Sequence, residues 1–216
     1  MSKKDIAISI QNVYKSFGNE EVLHDINHEF EEGKIHGIVG NNGSGKTVLF
    51  KCICGFLYLS KGKIFVDYQQ VGKDMDFPED MGIIIEMPGF LPYQSGFKNL
   101  QILASLRKRI DDKIIKDTIK RVGLDPHMKK FVSKYSLGMR QRLGIAQAIM
   151  EDPLMLILDE PFNGLDKHAI KDMRQLFLEL KAKGKTILLA SHNQADIDEL
   201  CDTVCEMDAG VLTVLR

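Results

Sequence analysis

Residues 40–47, GNNGSGKT, constrain this chain more than any other stretch. They spell G-x-x-x-x-G-K-[ST], with the apolar run IHGIVG leading in and GKTVLFKCICGFL leading out. Glycines at 40, 43 and 45 let backbone N–H groups converge on phosphate oxygens with no side chain in the way. A helix that opens at the loop points its positive end at the same anion. Lys46 reaches the β- and γ-phosphates as a point charge, and Thr47 offers a hydroxyl to Mg²⁺. Average residue usage gives such a pattern odds on the order of one in a hundred in a chain of this length. Residues Gly40, Asn41, Asn42, Gly43, Ser44, Gly45, Lys46, Thr47 and Val48 are therefore the candidate contacts to a phosphate-bearing nucleotide.

A second acidic element supports the first. LMLILDEP reads as a buried strand ending in Asp159-Glu160. A carboxylate at a strand's carboxyl end beside a phosphate loop can hold Mg²⁺ through water, which is the reading of Asp159. Glu160 is placed to orient, or take a proton from, the water that attacks the γ-phosphate. Acidic residues often end strands as caps; it is the phosphate loop that gives this pair a chemical role.

Around these motifs the chain alternates strands and helices. DIAISI, VLHDINHEF, IHGIVG, GKIFVDY and MGIII read as strands, so the first third is mostly sheet. From Phe97 to Gly144 the helical period dominates; in DDKIIKDTIKRVGL, Ile114, Ile115, Ile119 and Val122 are expected on one face, with Asp111 as cap and Gly123 as stop. Strand and helix then alternate to a closing hairpin, VCEMDAGVLTVL. Strands apolar at nearly every residue imply a parallel sheet covered on both faces, hence an α/β fold. The expected organisation is one domain over 1–216, with an α/β core and β subdomain from 1–87 and 151–216 and a helical subdomain of about 88–150.

Composition excludes several classes. A net charge of −1 gives no global pull toward nucleic acid. The pairs Lys129-Lys130 and Arg140/Arg142 are expected as solvated helix faces. No stretch approaches the ~18 apolar residues of a membrane span. The start, MSKKDIAISIQ, lacks a signal peptide's apolar core, so a cytosolic location is expected. Cys52, Cys54, Cys201 and Cys205 lack the spacing of a metal site and are expected as buried thiols.

In order, GNNGSGKT, YSLGMRQR, LMLILDEP, NGLD and ASH resemble the motifs of the ATP-binding-cassette ATPases across essentially the whole chain. The resemblance implies a P-loop NTPase with a RecA-like core, an antiparallel β subdomain and an inserted helical subdomain. It also implies two cassettes head to tail, the phosphate loop of one facing the signature of the other. Ser136 and Gly138 match signature positions that touch the partner's γ-phosphate, and Asp166 matches the loop that crosses the interface. His192 matches the switch histidine, whose ring can bond the γ-phosphate and hold Glu160 in register. Phe17, with Tyr14 as the alternative, matches the aromatic that stacks on adenine.

This sequence departs from the family pattern at three places. Leu137 stands for the usual Gly and Met139 for the usual Gln. Glu86 stands where the family has Gln; a carboxylate can still ligate Mg²⁺ and adds negative charge near the γ-phosphate. Glu86 resembles a group of bacterial transporters that protect cells from peptide antibiotics such as lantibiotics. The implied function is the ATP-hydrolysing subunit of a membrane transporter, an exporter, peripheral on the inner face of the membrane. A separate transmembrane permease and a second copy of the chain are the implied partners. EMPGFLPYQSGFKNL, with Phe90, Leu91, Tyr93 and Phe97, is either the permease-facing patch or subdomain core. A soluble non-transport ATPase and an ATP-dependent regulatory module are the competing readings.

Overall fold

The computed structural model describes residues 5–86 and 89–216. The basic start of the chain, and Met87 and Pro88 in the candidate permease-facing stretch, lie outside the described residues. Two sheets organise the rest. The smaller is antiparallel, in the order β2 (Glu20–Glu31), β1 (Ile6–Phe17), β4 (Lys61–Val66) and the two-residue β5 (Gln69–Gln70). The larger runs β10 (Val211–Val214), β9 (Thr203–Asp208), β3 (Ile35–Val39), β8 (Thr186–Ala190), β7 (Met155–Asp159) and β6 (Met81–Ile84). Its neighbours pair parallel except β10, which returns antiparallel on β9.

The large sheet is covered on both faces, as its apolar strands require. Side chains alternate across a strand. In β8, Ile187 and Leu189 join the core built with α4 (Leu137–Ile149) and α5 (Lys167–Ala182). Leu188 and Ala190 join the other core, with α1 (Lys46–Ile53) and the antiparallel sheet. Phe177 on α5 and Phe50 on α1 are fully buried, one in each core. Truncating either to Ala would cost about 3–5 kcal/mol. After β8, α6 (Gln194–Leu200) leads into β9.

Between β6 and β7 stand α2 (Gly96–Arg107), α3 (Asp112–Arg121) and α4. Asp111 caps α3, its carboxylate accepting from Ile114 N at 2.9 Å, and Gly123 follows the helix at φ +74°. Ile115, Ile119 and Val122 are buried, but Ile114 is 43% exposed. At about 100° per residue it lies one step off the stripe that positions 115, 119 and 122 share.

The basic pairs also differ from expectation. Lys129 and Lys130 are exposed but lie in an irregular connection, not on a helix. Arg140 and Arg142 are part-buried ties: Arg140 Nη1 donates to Tyr135 O at 2.7 Å, and Arg142 Nη1 to Gly123 O at 3.3 Å. The stretch after Glu86 divides, with Leu91 and Tyr93 exposed while Phe90 and Phe97 pack on the core. Cys52, Cys54 and Cys205 are buried thiols and Cys201 is partly exposed; burial pushes Cys52 and Cys54 up to about 12. No helix among the described residues is long and apolar enough to cross a membrane.

Candidate functional site

Three parallel strands, β3, β8 and β7, lie side by side. Their carboxyl ends therefore gather three segments: the loop after Val39, the turn after Ala190, and Asp159-Glu160. Ligands of open α/β sheets bind at this edge. The cleft there has a volume of about 470 Å³. The phosphate loop and the start of α1 contribute Asn42, Gly43, Gly45, Lys46, Thr47 and Val48; Glu86, Leu137, Gln141, Asp159, Glu160 and Asn163 complete the lining, with Val22 contributed by β2.

The loop is built on backbone conformations that a side chain would spoil. Gly40 has φ +146°, and a Cβ there would stand 2.2 Å from Met207 O. Gly45, the residue at the N-cap of α1, has φ +110° and supplies no side-chain cap. The first N–H groups of α1 thus have no side-chain acceptor, the arrangement that receives an anion. Lys46 is buried, and its ammonium donates to Gly40 O at 2.7 Å and Asn41 O at 2.9 Å. Ser44 Oγ is buried without a partner among the described residues. Buried polar atoms are rarely left unpaired, so this hydroxyl fits a phosphate oxygen.

At the foot of the loop, Thr47 Oγ1 donates to Asp159 Oδ2 at 2.6 Å. Burial holds the Asp159 carboxyl above its ordinary value, against the opposing pull of the Thr47 hydrogen bond and of Lys46. The described residues contain no group of three or more His, Cys, Asp or Glu that could hold a metal by themselves. A hydroxyl and a carboxylate in contact fit Mg²⁺, which keeps waters and takes phosphate oxygens for the rest of its shell.

Contacts to both its backbone and its side chain fix Glu160. Its backbone sits at φ +50°, a conformation that costs about 1–2 kcal/mol outside glycine. Its N–H donates to Ala190 O at 3.0 Å, and its carbonyl accepts from Gln141 Nε2 at 3.2 Å. His192 Nδ1 lies 2.9 Å from Oε2. Oε1 is buried with no partner among the described residues. One carboxylate oxygen is thus held and the other is free for a water.

The remaining candidates are distributed more widely. Ser136 caps α4, its Oγ accepting from Met139 N at 3.2 Å. A Cβ at Gly138 would stand 2.7 Å from Gly164 O, so this glycine is needed for α4 to meet the NGLD loop within the same chain. Asp166 caps α5, accepting from Ala169 N at 2.9 Å, and is exposed. Phe17 is 48% exposed at the end of β1, under the Lys15 ammonium at 4.7 Å, and outside the cleft lining; Tyr14 is partly buried beneath Lys61. Glu86 reaches the cleft, but its carboxylate is paired with Lys51 Nζ at 2.7 Å.

A family model described as ABC transporter matches residues 23–163. The chain belongs to the ABC transporter ATPase family. It is 42% identical over 205 residues to an ABC transporter ATP-binding protein of Bacillus subtilis, YybJ, covering 95% of this chain and 94% of that one. It is 37% identical over 210 residues to the bacitracin transport ATP-binding protein BcrA of Enterococcus faecalis, covering 96% of this chain and 68% of BcrA. The lantibiotic transport ATP-binding protein SrtF of Streptococcus pyogenes is 32% identical over 198 residues, covering 91% and 85%. Among solved structures, a dimeric post-hydrolysis ATP-binding cassette bound to ADP and Pi superposes with a TM-score of 0.86 at 21% identity, covering 97% of this chain and 99% of that one.

As an ABC ATPase the chain binds and hydrolyses ATP as the nucleotide-binding subunit of a transporter; subunits of this family form dimers and work with transmembrane components. Gln141 in the cleft lining, and Lys51, which pairs with the cleft residue Glu86, escaped the sequence reading. Gln141 lies on α4 one turn after Leu137, 7% exposed among apolar neighbours. A polar side chain on a buried face was the available signal. Lys51 lies one turn after Thr47, on the same face of α1, which was readable as spacing; its partner Glu86 was not.

Proposed function

We propose that the cleft is a Mg²⁺–ATP site that energises export by a separate transmembrane permease, and that two copies of this chain close head to tail around two nucleotides. Lys46 and the loop N–H groups take the β- and γ-phosphates. Thr47 and Asp159 would hold Mg²⁺, with Glu86 in the same cleft lining as a further oxygen donor; the ion would supply neutralising charge to the phosphates. Glu160 orients the attacking water with its unpaired oxygen, and His192 fixes the other. Ser136, Gly138 and Asp166 face the nucleotide of the second copy, and Phe17 stacks on adenine. The α/β core with its β subdomain carries the phosphate loop, and the helical subdomain of about 88–150 carries the signature. Peripheral attachment to the inner membrane face then comes through the permease, and Leu91 and Tyr93 are the exposed apolar residues available to it. The names of BcrA and SrtF support a peptide-antibiotic cargo.

The observation that carries this reading is the convergence of two contacts in one cleft: Thr47 with Asp159 and His192 with Glu160. Glu160→Gln should lower kcat about 10²–10⁴-fold with little change in KM, because it removes a base and not a binding contact. Steady-state hydrolysis by the chain with its permease reads this. An unchanged kcat sinks the assignment of Glu160.

A further inference from the structure

Behind His192 lies a buried ionic network. Asp196 is 1% exposed. Its Oδ1 accepts from Arg174 Nε at 2.9 Å and its Oδ2 from Ser191 Oγ at 3.0 Å. Ser191, itself buried, accepts from Asn193 N at 3.1 Å. These bonds tie down the residues on both sides of His192, whose own side chain is 66% exposed. Exposure alone would let the ring sample several rotamers. The backbone beneath it is nonetheless anchored to α5, the helix that Asp166 caps.

We propose that Ser191, Asp196 and Arg174 are positioning residues for the ATPase reaction: they hold the turn from which His192 grips Glu160. This rests on the assignment of Glu160 and His192 given above. A buried Asp–Arg pair is costly to desolvate and adds little stability over an apolar pair. Its geometry, aimed through one serine hydroxyl at the histidine turn, is where it contributes. With Glu160 as a carboxylate, which only accepts, the Nδ1 of His192 carries the shared proton. Loosening the turn frees the ring from that tautomer.

Two variants test this in the full chain. Ser191→Ala removes one hydroxyl. Asp196→Asn removes the charge but leaves Arg174 its second partner, Glu199. Both should melt cooperatively and keep KM for ATP within about two-fold, while kcat falls about ten-fold or more, the signature of lost orientation. The ring ¹⁵N shifts of His192, assigned by their loss in His192→Ala, should leave the Nδ1–H pattern. Adding either change to His192→Ala should lower kcat no further. Wild-type ¹⁵N shifts and kcat in Ser191→Ala, or losses that multiply with His192→Ala, would overturn the proposal; Ser191→Ala decides alone where Asp196→Asn does not fold. If Glu160→Gln hydrolyses as fast as wild type, the Glu160 assignment fails separately, and the ¹⁵N shifts still report whether the network positions the ring.

Discussion

Two helices of this chain begin where phosphate is expected, and they begin differently. Helix α1 opens at Gly45 in a left-handed conformation with no side-chain cap. Helix α4 opens at Ser136 in an extended conformation, with the serine oxygen closing on Met139 N. The other helices, α2, α3, α5 and α6, are capped by Ser95, Asp111, Asp166 and Asn193. So α1 is the one described α-helix that opens without a side-chain cap. Capping stabilises a helix at the expense of its anion site, because the same donors serve both. The phosphate loop is organised to bind within one chain. The signature helix spends one N-terminal N–H on its own serine, and the Ser136 hydroxyl proton and the other N–H groups are what the proposed head-to-tail pairing would offer a partner's nucleotide.

The largest break in this comparison comes from Lys46→Ala. Among the described residues its ammonium donates only to loop carbonyls, so the fold should barely change, while ATP binding should weaken about 100-fold because the charged donor that reaches the phosphates is gone. Titration of the isolated chain with a fluorescent ATP analogue measures it. A loss under about three-fold would mean that the uncapped α1 terminus holds the phosphates largely alone. Ser136→Ala should behave in the opposite way. It costs about 1 kcal/mol of stability as a lost cap, seen as a lower denaturation midpoint. Hydrolysis by the dimer should fall while the isolated chain still binds nucleotide. If Ser136→Ala weakens binding by the isolated chain as strongly as Lys46→Ala does, the two helix starts serve the same nucleotide and the distinction collapses.

The same contrast explains what could be read from sequence. Gly40, Gly45 and Lys46 have contiguous, obligatory chemistry, and Asp159 and Glu160 end an apolar strand; local spacing suffices for both. Asp111 as a cap was legible for the same reason. Pairings between distant segments were not. That Lys51 neutralises Glu86 depends on α1 passing beside the end of β6. The added negative charge expected of Glu86 is therefore met by a neighbouring cation. Nor was the full length of β1 legible: its alternation breaks at Asn12, at φ +48°, where the register with β2 shifts, so only its first half reads as a strand. The return to β5 turns at Asp67-Tyr68, both at positive φ without a glycine, which hides the hairpin. Gly138 looked like a nucleotide contact from the motif; its close approach to Gly164 adds a packing need that no local pattern encodes.

The smallest effect separates two kinds of cap. Ser136 is neutral, so its contribution to α4 should not vary between pH 3 and 6. Asp166 caps α5 with a charge, and the hydrogen bond from Ala169 N, helped by the nearby Arg142 guanidinium, holds its carboxyl below the ordinary 3.8. A depressed carboxylate stabilises the fold fully above its unfolded pKa, and that stability is lost as pH falls through the folded value. Asp166→Asn keeps a capping oxygen but removes the charge. Its melting temperature should lie slightly below wild type at pH 6, and the gap should close as pH drops below about 3.8. Thermal melts of wild type, Asp166→Asn and Ser136→Ala across this range decide it. A gap for Asp166→Asn that persists at the acid end would show that asparagine fails as a cap here, and that geometry and not charge distinguishes the α5 start from that of α4.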